Sequence, residues 1–276
     1  MQTQVSNPVA SPILVTGGTG TLGRLVVPLL RAAGCNLRVL SRQGHKATDG
    51  VEYMTGDLAT GQGIEAAVAG VGTIVHLAGS AKGDEIKARH LVGAASRAGV
   101  RHLVYISVVG ADRVPIVSGI DRAMFGYFGA KLAAERIVSD SGVPLTTLRA
   151  TQFQEAFLKV AEGMAKLPVL PVPIGFHFQP VAAREVAARL VELALGNPAG
   201  LVPDIAGPRT YEMADLIRGY LRASHKRRLI VPVPTMGKAA GAVRAGAALS
   251  PERAVGHRTW EDLLAERVSS PRSSVN

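Results

Sequence analysis

The chain has 276 residues, and 47% of them are hydrophobic, which is enough for the core of one large domain or of a main domain with a small appendage. Its single cysteine, Cys35, excludes an internal disulfide framework. The net charge of +10 invites a nucleic-acid interpretation, but only 4% of residues are aromatic and the cations are dispersed except in the run 222–228. We therefore expect no nucleic-acid partner, and the charge suits an anionic ligand instead.

The first predicted elements form one compact unit. An apolar strand at residues 13–15 leads into a glycine-rich turn, and apolar residues at helical spacing follow the turn. Gly34 ends that helix, and a second strand is predicted at residues 37–40. Strand, turn, helix and strand together span about 30 residues, the length of one βαβ unit.

The glycines of the turn fit two registers, Gly17-x-x-Gly20-x-x-Gly23 and Gly18-x-Gly20-x-x-Gly23. Without a Cβ, the early glycines permit a tight turn that brings the backbone close to a pyrophosphate, and Gly23 lets the helix pack against the strand. The unpaired N–H groups at the start of the helix attract an anion. The turn therefore predicts a dinucleotide site at Thr16, Gly17, Gly18, Thr19, Gly20, Thr21, Leu22 and Gly23.

The end of the second strand favours one dinucleotide over the other. NAD sites usually carry Asp or Glu about 20 residues after the glycines, where the carboxylate accepts from the ribose 2′-hydroxyl. Here the positions are Ser41 and Arg42, and no acid precedes Asp49. Arg42 can pair with a 2′-phosphate, with Ser41 as a donor and Lys46 as a further charge, which predicts NADP(H) in preference to NAD(H). The alternative is that Arg42 is a solvated loop charge.

Strands and helices keep alternating up to residue 150. Strands are predicted at residues 51–54, 73–77, 102–106 and 145–148, and helices at residues 64–69, 84–98 and 124–139. The alternation predicts an α/β Rossmann fold, a doubly wound parallel sheet whose ligand crevice lies at the carboxyl ends of its strands. Beyond residue 150, prolines interrupt the pattern, and only two helices, near residues 185–195 and 214–223, are predicted in a small irregular portion.

These patterns predict four segments. We expect disorder in residues 1–11, a nucleotide-binding domain in residues 12–155, a C-terminal portion, interleaved with the sheet, that closes the substrate cleft in residues 156–268, and a disordered tail in residues 269–276. No secretory signal or membrane span is recognisable, which predicts a cytoplasmic protein without a membrane partner. No cluster of His, Cys or acidic residues has metal-ligand spacing, so no metal is expected.

A tyrosine and a lysine follow the fifth strand at a helical spacing of four. Tyr127 and Lys131 would share one helix face, at the start of the helix, and the ammonium would favour the phenolate and lower the tyrosine pKa. Ser107, at the carboxyl end of the strand, could donate to a substrate carbonyl while Tyr127 transfers the proton. The alternatives are a structural Tyr–Lys pair and a serine that bonds its own backbone.

Several motifs together resemble the extended and atypical short-chain dehydrogenases/reductases. They are Thr16-Gly-Gly-Thr-Gly-Thr-Leu-Gly23, Gly56-Asp57-Leu58, His76-Leu77-Ala78-Gly79, Tyr105-Ile106-Ser107 and Tyr127-x-x-x-Lys131-x-x-x-Glu135. The segments Leu148–Phe153 and Phe178–Val181 resemble the NmrA-like branch. By this resemblance Asp57 and Leu58 flank the adenine, Ala78 and Gly79 line the cofactor cleft, and Lys131 also holds the nicotinamide ribose.

The resemblance implies an NADPH-dependent reductase of a carbonyl or quinone, acting on a small molecule as a monomer or weak homo-oligomer. The NmrA-like branch also contains NADP-binding regulators without catalytic activity, and these typically lack the tyrosine. Ser107 is not part of the Ser-Ser pair of the larger families, and related plant reductases use the lysine alone. A nucleotide-sugar epimerase or dehydratase fits less well, because the chain lacks a recognisable sugar-nucleotide domain.

Aromatic residues after the last predicted strand suggest an apolar substrate wall, although they could equally form core. The candidate wall residues are Phe153, Phe157, Phe176 and Phe178, and the candidate polar contacts are Gln152, Gln179 and His177.

Overall fold

The structure is a computed structural model that describes residues 11–46, 50–80 and 83–269. These residues form a central sheet of seven parallel strands in the order β3-β2-β1-β4-β5-β6-β9. The strands are β1 (Ile13–Thr16), β2 (Leu37–Ser41), β3 (Val51–Thr55), β4 (Thr73–His76), β5 (His102–Val108), β6 (Leu145–Ala150) and β9 (Gly200–Leu201). The predicted doubly wound parallel sheet is confirmed.

Helices cover both faces of the sheet. The helices of the described residues are α1 (Gly23–Ala32), α2 (Ile64–Val68), α3 (Asp84–Arg97), α4 (Gly119–Ser139), α5 (Gln154–Met164), α6 (Ala183–Leu195), α7 (Met213–Ala223), α8 (Lys238–Arg244) and α9 (Trp260–Ser269). Apolar residues of α1 and α6 pack on one face, and those of α2, α3 and α4 pack on the other. The central strands β1, β4 and β5 are buried on both faces, which explains their largely apolar sequences.

The C-terminal portion is more regular than the sequence predicts. Besides α5 to α9 it contains a parallel pair, β7 (Val169–Pro173) with β11 (Leu229–Val233), and an antiparallel pair, β8 (His177–Phe178) with β10 (Tyr211–Glu212). Helices α5, α7 and α9 share an apolar cluster around Trp260. Strand β9 and helix α6 belong to the central sheet and its cover, so this portion is interleaved with the nucleotide-binding half in space.

Helix α4, which carries Tyr127 and Lys131, begins at Gly119, five residues before the predicted start. A capping box explains the early start: the Ser118 hydroxyl accepts from the Asp121 N–H at 3.0 Å, and Asp121 accepts from the Ser118 N–H at 3.0 Å. Asp121 also accepts from the Ala239 N–H at 3.0 Å and ties α8 to the cap. The Tyr–Lys pair therefore lies in the interior of the helix, and the prediction that it opens the helix is wrong.

The predicted disorder of residues 1–11 and 269–276 falls, apart from Ser11 and Ser269, outside the described residues. Among the helices of the described residues, none is both long enough and apolar enough to cross a membrane. Within the same part of the chain, no three or more His, Cys, Asp or Glu side chains are grouped so that they could hold a metal ion.

Candidate active site

The candidate site lies where the winding of the sheet reverses. Strands β1 and β4 are neighbours, but α1 packs on one face of the sheet while α3, which follows β4, packs on the other. The connections therefore diverge, and a crevice opens at the carboxyl ends of the two strands. The glycine-rich turn after β1 and the residues 77–80 after β4 form its floor.

The turn after β1 has no room for a side chain at Gly17 or Gly23. Gly17 has φ +71°, and a Cβ there would lie 2.7 Å from the backbone N of Ala78. A Cβ on Gly23 would collide with the carbonyl oxygen of Gly17, so α1 starts directly against the turn. This tight glycine cradle at a helix N-terminus fits the pyrophosphate of a dinucleotide.

A groove of about 370 Å³ extends from the turn along the ends of β2 and β3. We call it the nucleotide groove; its lining includes Gly17, Thr19, Gly20, Leu40, Ser41, Arg42, Gly56, Asp57, Leu58, Ala59, Leu77, Ala78, Gly79, Ser80 and Lys87. Arg42 is exposed at its border. The Ser41 hydroxyl accepts from the Gln43 N–H at 3.2 Å and lies 3.0 Å from His45 Nε2, so local contacts already engage it.

Three predicted cofactor residues lie behind the groove instead of facing it. Thr16 is fully buried, and its hydroxyl lies 2.7 Å from Nδ1 of His76. Burial lowers the pKa of His76 to about 3, so the ring stays neutral and holds the end of β1 to β4. Gly18 packs under Val39, and Gly23 packs under the turn. These residues shape the cradle from behind, and the Thr16 hydroxyl is already engaged by His76.

A second cavity of about 390 Å³ continues from the nucleotide groove and shares Gly20, Leu77, Gly79 and Ser80 with it. We call it the reaction pocket. Its remaining lining residues are Thr21, Leu22, Ile106, Ser107, Val108, Tyr127, Lys131, Ala150, Thr151, Gln152, Phe153 and Ala156. The structure thus brings the predicted Ser107, Tyr127 and Lys131 together with the predicted Gln152 and Phe153.

Lys131 is buried, with 4% of its surface exposed, and has a buried counterion that the sequence did not indicate. Its Nζ lies 3.3 Å from Oδ2 of Asp84 and 3.5 Å from the carbonyl oxygen of Ile106. Burial lowers the pKa of the Lys131 ammonium, and the Asp84 carboxylate opposes that effect. A Cβ on Gly79 would lie 2.7 Å from this Nζ, so a larger residue there would displace the ammonium from its position beside Asp84.

Asp84 also fixes the loop that closes the nucleotide groove. Its Oδ1 accepts from the Ser80 N–H at 2.7 Å and lies 3.3 Å from Nζ of Lys87. Lys87 also donates to the Ser80 hydroxyl. In the sequence Asp84 resembles an ordinary acid in the first turn of a helix, because nothing local indicates its contact with α4.

The predicted lowering of the Tyr127 pKa is wrong. Desolvation in the pocket, with a smaller effect of the Asp84 carboxylate, raises the pKa of Tyr127 to about 12. The ammonium of Lys131 lies 5.9 Å from the centre of the Tyr127 ring, and Asp84 neutralises it locally. Tyr127 is therefore a neutral phenol at physiological pH, although 40% of its surface is exposed.

Four buried polar atoms of the reaction pocket have no hydrogen-bond partner among the described residues. They are the hydroxyl oxygens of Ser107 and Thr151 and both amide atoms, Oε1 and Nε2, of Gln152. Buried polar groups are nearly always paired, so four unpaired atoms in one cavity indicate a place for a polar ligand. The serine does not bond its own backbone, which was the alternative interpretation.

Other predicted substrate residues lie elsewhere. Phe176 is buried against Phe125 and Phe178. The Gln179 amide donates to the Gly207 carbonyl at 2.8 Å and accepts from the Ser250 N–H at 2.9 Å. Phe157 and Phe178 pack together, with ring centres 5.0 Å apart. The His177 Nε2 lies 3.7 Å from Oε1 of Glu212. These side chains lie in the C-terminal core or at its surface, and none of them is among the residues that line the reaction pocket.

The two buried glutamines lead to opposite expectations for stability. Gln179→Leu leaves the Gly207 carbonyl and the Ser250 N–H unpaired, so it should lower the free energy of unfolding by about 2–4 kcal/mol. Gln152→Leu removes no bond to a described residue and should leave that free energy unchanged or higher. Urea denaturation of both variants measures the difference, and equal losses would show that the Gln152 amide has a structural role.

Comparison with known proteins relates the chain to proteins that bind NAD(P)H. A family model described as NAD(P)H-binding matches residues 17–194. The chain is 32% identical over 191 residues to a (4-alkanoyl-5-oxo-2,5-dihydrofuran-3-yl)methyl phosphate reductase of Streptomyces griseus and 31% identical over 193 residues to an NAD(P)H azoreductase of Xenophilus azovorans. Each match covers 67% of this chain and 64% of the relative, so the chain spans less than two thirds of either relative's length.

The fold also matches solved structures. The NADPH-dependent quinone oxidoreductase of Escherichia coli, solved with NADPH, superimposes with a TM-score of 0.77 at 19% identity, covering 92% of this chain and 99% of that one. At that identity the likeness supports the fold alone. The family model matches more than half of the chain, and this match shows the family to which the chain belongs. The chain belongs to this NAD(P)H-binding family, within the superfamily of NmrA-like and extended short-chain dehydrogenases/reductases.

Proposed function

We propose that the protein is an NADPH-dependent reductase that transfers hydride to a carbonyl or quinone-type small molecule. One observation carries the proposal: the nucleotide groove continues into a pocket that holds Tyr127, Lys131 and Ser107, so a cofactor and a substrate would meet at the residues that can move a proton. The reductases among the relatives support the same reaction class.

The residues fit the cofactor. The glycine turn would hold the pyrophosphate, Asp57 and Leu58 would border the adenine, and Lys131 would bind the nicotinamide ribose. When bound, the reduced nicotinamide supplies a hydride to the substrate carbonyl. Arg42 lies exposed beside Ser41 with no acid next to it, which supports a site for the 2′-phosphate and hence a preference for NADP(H).

Tyr127 would donate the proton that accompanies the hydride. Because its pKa is about 12, the phenol is protonated before reaction and can pass its proton to the carbonyl oxygen as the C=O double bond becomes a C–O single bond. The Lys131 ammonium, 5.9 Å from the ring centre, would stabilise the phenolate until solvent returns a proton. The unpaired Ser107 hydroxyl would donate a second hydrogen bond to the same oxygen.

Asp84 is a positioning residue in this scheme, and its removal should change the pH profile. The carboxylate raises the pKa of Lys131 against burial, so in Asp84→Asn the ammonium should lose its proton at lower pH. The fall of kcat/KM on the alkaline side should move down by about 1 pH unit. Glu85→Gln, on the same helix turn, is the charge-matched control. An unchanged profile in Asp84→Asn would contradict this role.

Steady-state oxidation of NADPH against a panel of quinones, ketones and aldehydes tests the proposed function. We expect turnover of at least one class by the wild type and at least a hundredfold loss in Lys131→Met, because both ribose binding and phenolate stabilisation fail. Tight binding of NADPH without turnover of any panel member would favour a non-catalytic dinucleotide sensor. Absence of binding by either dinucleotide would contradict both functions.

A further inference from the structure

The unpaired amide of Gln152 lies on a rigid part of the reaction pocket. Gln152 follows β6, and its carbonyl accepts from the Val181 N–H at 3.0 Å. Gln154, two residues on, donates its N–H to the Val181 carbonyl at 2.9 Å and begins α5. These bonds on both sides fix the backbone, so the amide is held in the pocket without a partner of its own among the described residues.

The walls around this amide limit the chemistry of a ligand. Apolar atoms provide the larger part of the pocket surface, and the apolar side chains include Leu22, Ile106, Val108, Phe153 and Ala156. The charged lining residue among those described is Lys131, and Asp84 already neutralises it at 3.3 Å. A phosphate or carboxylate would lose its hydration here without gaining a free cation, so the pocket favours a neutral molecule.

The amide itself determines what else the ligand carries. Its Nε2 donates and its Oε1 accepts, and burial leaves both unpaired. Carbonyls and ethers can only accept, and they would leave Oε1 unpaired. A hydroxyl or a carboxamide both donates and accepts, and either can satisfy the two atoms together.

We infer that the substrate is a neutral, largely apolar carbonyl compound that carries a hydroxyl or carboxamide group near the reacting carbonyl, and that Gln152 recognises this second group. The inference rests on the proposed function, in which Tyr127 and Ser107 bind the reacting oxygen. Gln152 is then the residue that separates such substrates from plain quinones and ketones.

Two naphthoquinones of nearly equal size test the inference. 2-Hydroxymethyl-1,4-naphthoquinone carries a neutral hydroxyl near the carbonyl, and 2-ethyl-1,4-naphthoquinone replaces it with a methyl group. We expect the wild type to prefer the hydroxymethyl compound by about tenfold or more in kcat/KM, because the ethyl compound leaves the amide unpaired. In Gln152→Leu the preference should fall to within about twofold, through loss on the hydroxymethyl compound.

Binding measurements distinguish recognition of the substrate by Gln152 from recognition of the cofactor. The dissociation constant of NADPH, measured by calorimetry, should be the same in the wild type and in Gln152→Leu. If the variant weakens NADPH and leaves the naphthoquinone preference intact, the amide serves the cofactor and the inference is wrong. Equal use of both naphthoquinones by the wild type would also overturn it.

A protein without reductase activity would give a different set of results. If the wild type turns over neither compound, calorimetric titration of both naphthoquinones in the presence of NADP⁺ still measures recognition by the amide. Tighter binding of the hydroxymethyl compound, lost in Gln152→Leu, would then support a hydroxyl site in a non-catalytic protein. Equal binding or no binding of the two compounds would reject the site itself.

Discussion

Replacing Arg42 by Glu is expected to reverse the cofactor preference. The wild-type guanidinium lies at the border of the nucleotide groove, and charge-assisted bonds to a 2′-phosphate are among the strongest available there. A carboxylate would repel the phosphate and accept from a 2′-hydroxyl instead. We expect affinity for NADPH to fall by about a hundredfold, while affinity for NADH stays level or rises.

Calorimetric titration of both dinucleotides measures this change. Arg136→Glu provides the matched control, because this substitution makes the same change in net charge. Arg136 is exposed on α4 and is not among the residues that line the groove. The control should retain the wild-type preference. Equal loss of NADPH affinity in both variants would assign the preference to overall charge, and an unchanged preference in Arg42→Glu would make Arg42 a solvated loop residue.

Replacing Tyr127 by Phe is expected to lower kcat by a factor of about 100 to 10,000, because the proton donor is lost. NADPH affinity should stay within about twofold, since the proposed function assigns the ribose contact to Lys131. In the wild type, a tyrosine pKa of about 12 means that the donor stays protonated through neutral and mildly alkaline pH, so its ionisation should not limit kcat below about pH 10.

Stopped-flow oxidation of NADPH at saturating substrate isolates the chemical step for this comparison. Tyr53→Phe is a suitable control, because Tyr53 lies on β3 and is not among the residues that line the reaction pocket. A Tyr127→Phe variant with wild-type kcat would leave proton transfer to another group. Such a result would favour the lysine-only arrangement of the related plant reductases.

Local patterns predicted the βαβ unit that carries the glycine turn. The strand, glycine turn and helix of residues 13–34 appear as predicted, because backbone sterics and apolar periodicity act within one βαβ unit. The parallel sheet followed from the alternation of its elements. Ser107 and the Tyr127–Lys131 pair line the same pocket, because the carboxyl ends of parallel strands lie at the same edge of the sheet.

Contacts between distant segments could not be derived from one sequence. The Asp84–Lys131 pair joins residues 47 positions apart. Desolvation, and to a smaller extent the Asp84 carboxylate, raises the pKa of Tyr127 against the expected direction, and the local sequence shows neither effect. Gln152 and Gln179 each lie next to a phenylalanine, yet the Gln152 amide is unpaired in the pocket and the Gln179 amide is satisfied by Gly207 and Ser250. The early start of α4 was readable in principle, from Ser118 followed three residues later by Asp121.

Transfer of deuterium from NADPH to a product directly tests whether the protein catalyses hydride transfer. NADPH deuterated at the reactive carbon of the nicotinamide is incubated with the wild type and a panel of ketones and aldehydes, and the products are analysed by mass spectrometry. If the protein transfers hydride from NADPH to a carbonyl, deuterium appears on the former carbonyl carbon of at least one product. The Tyr127→Phe variant should still bind NADPH but form this labelled product more slowly. Binding of NADPH with no label in any ketone or aldehyde product and no oxidation of NADPH by quinones would contradict hydride transfer in this cleft.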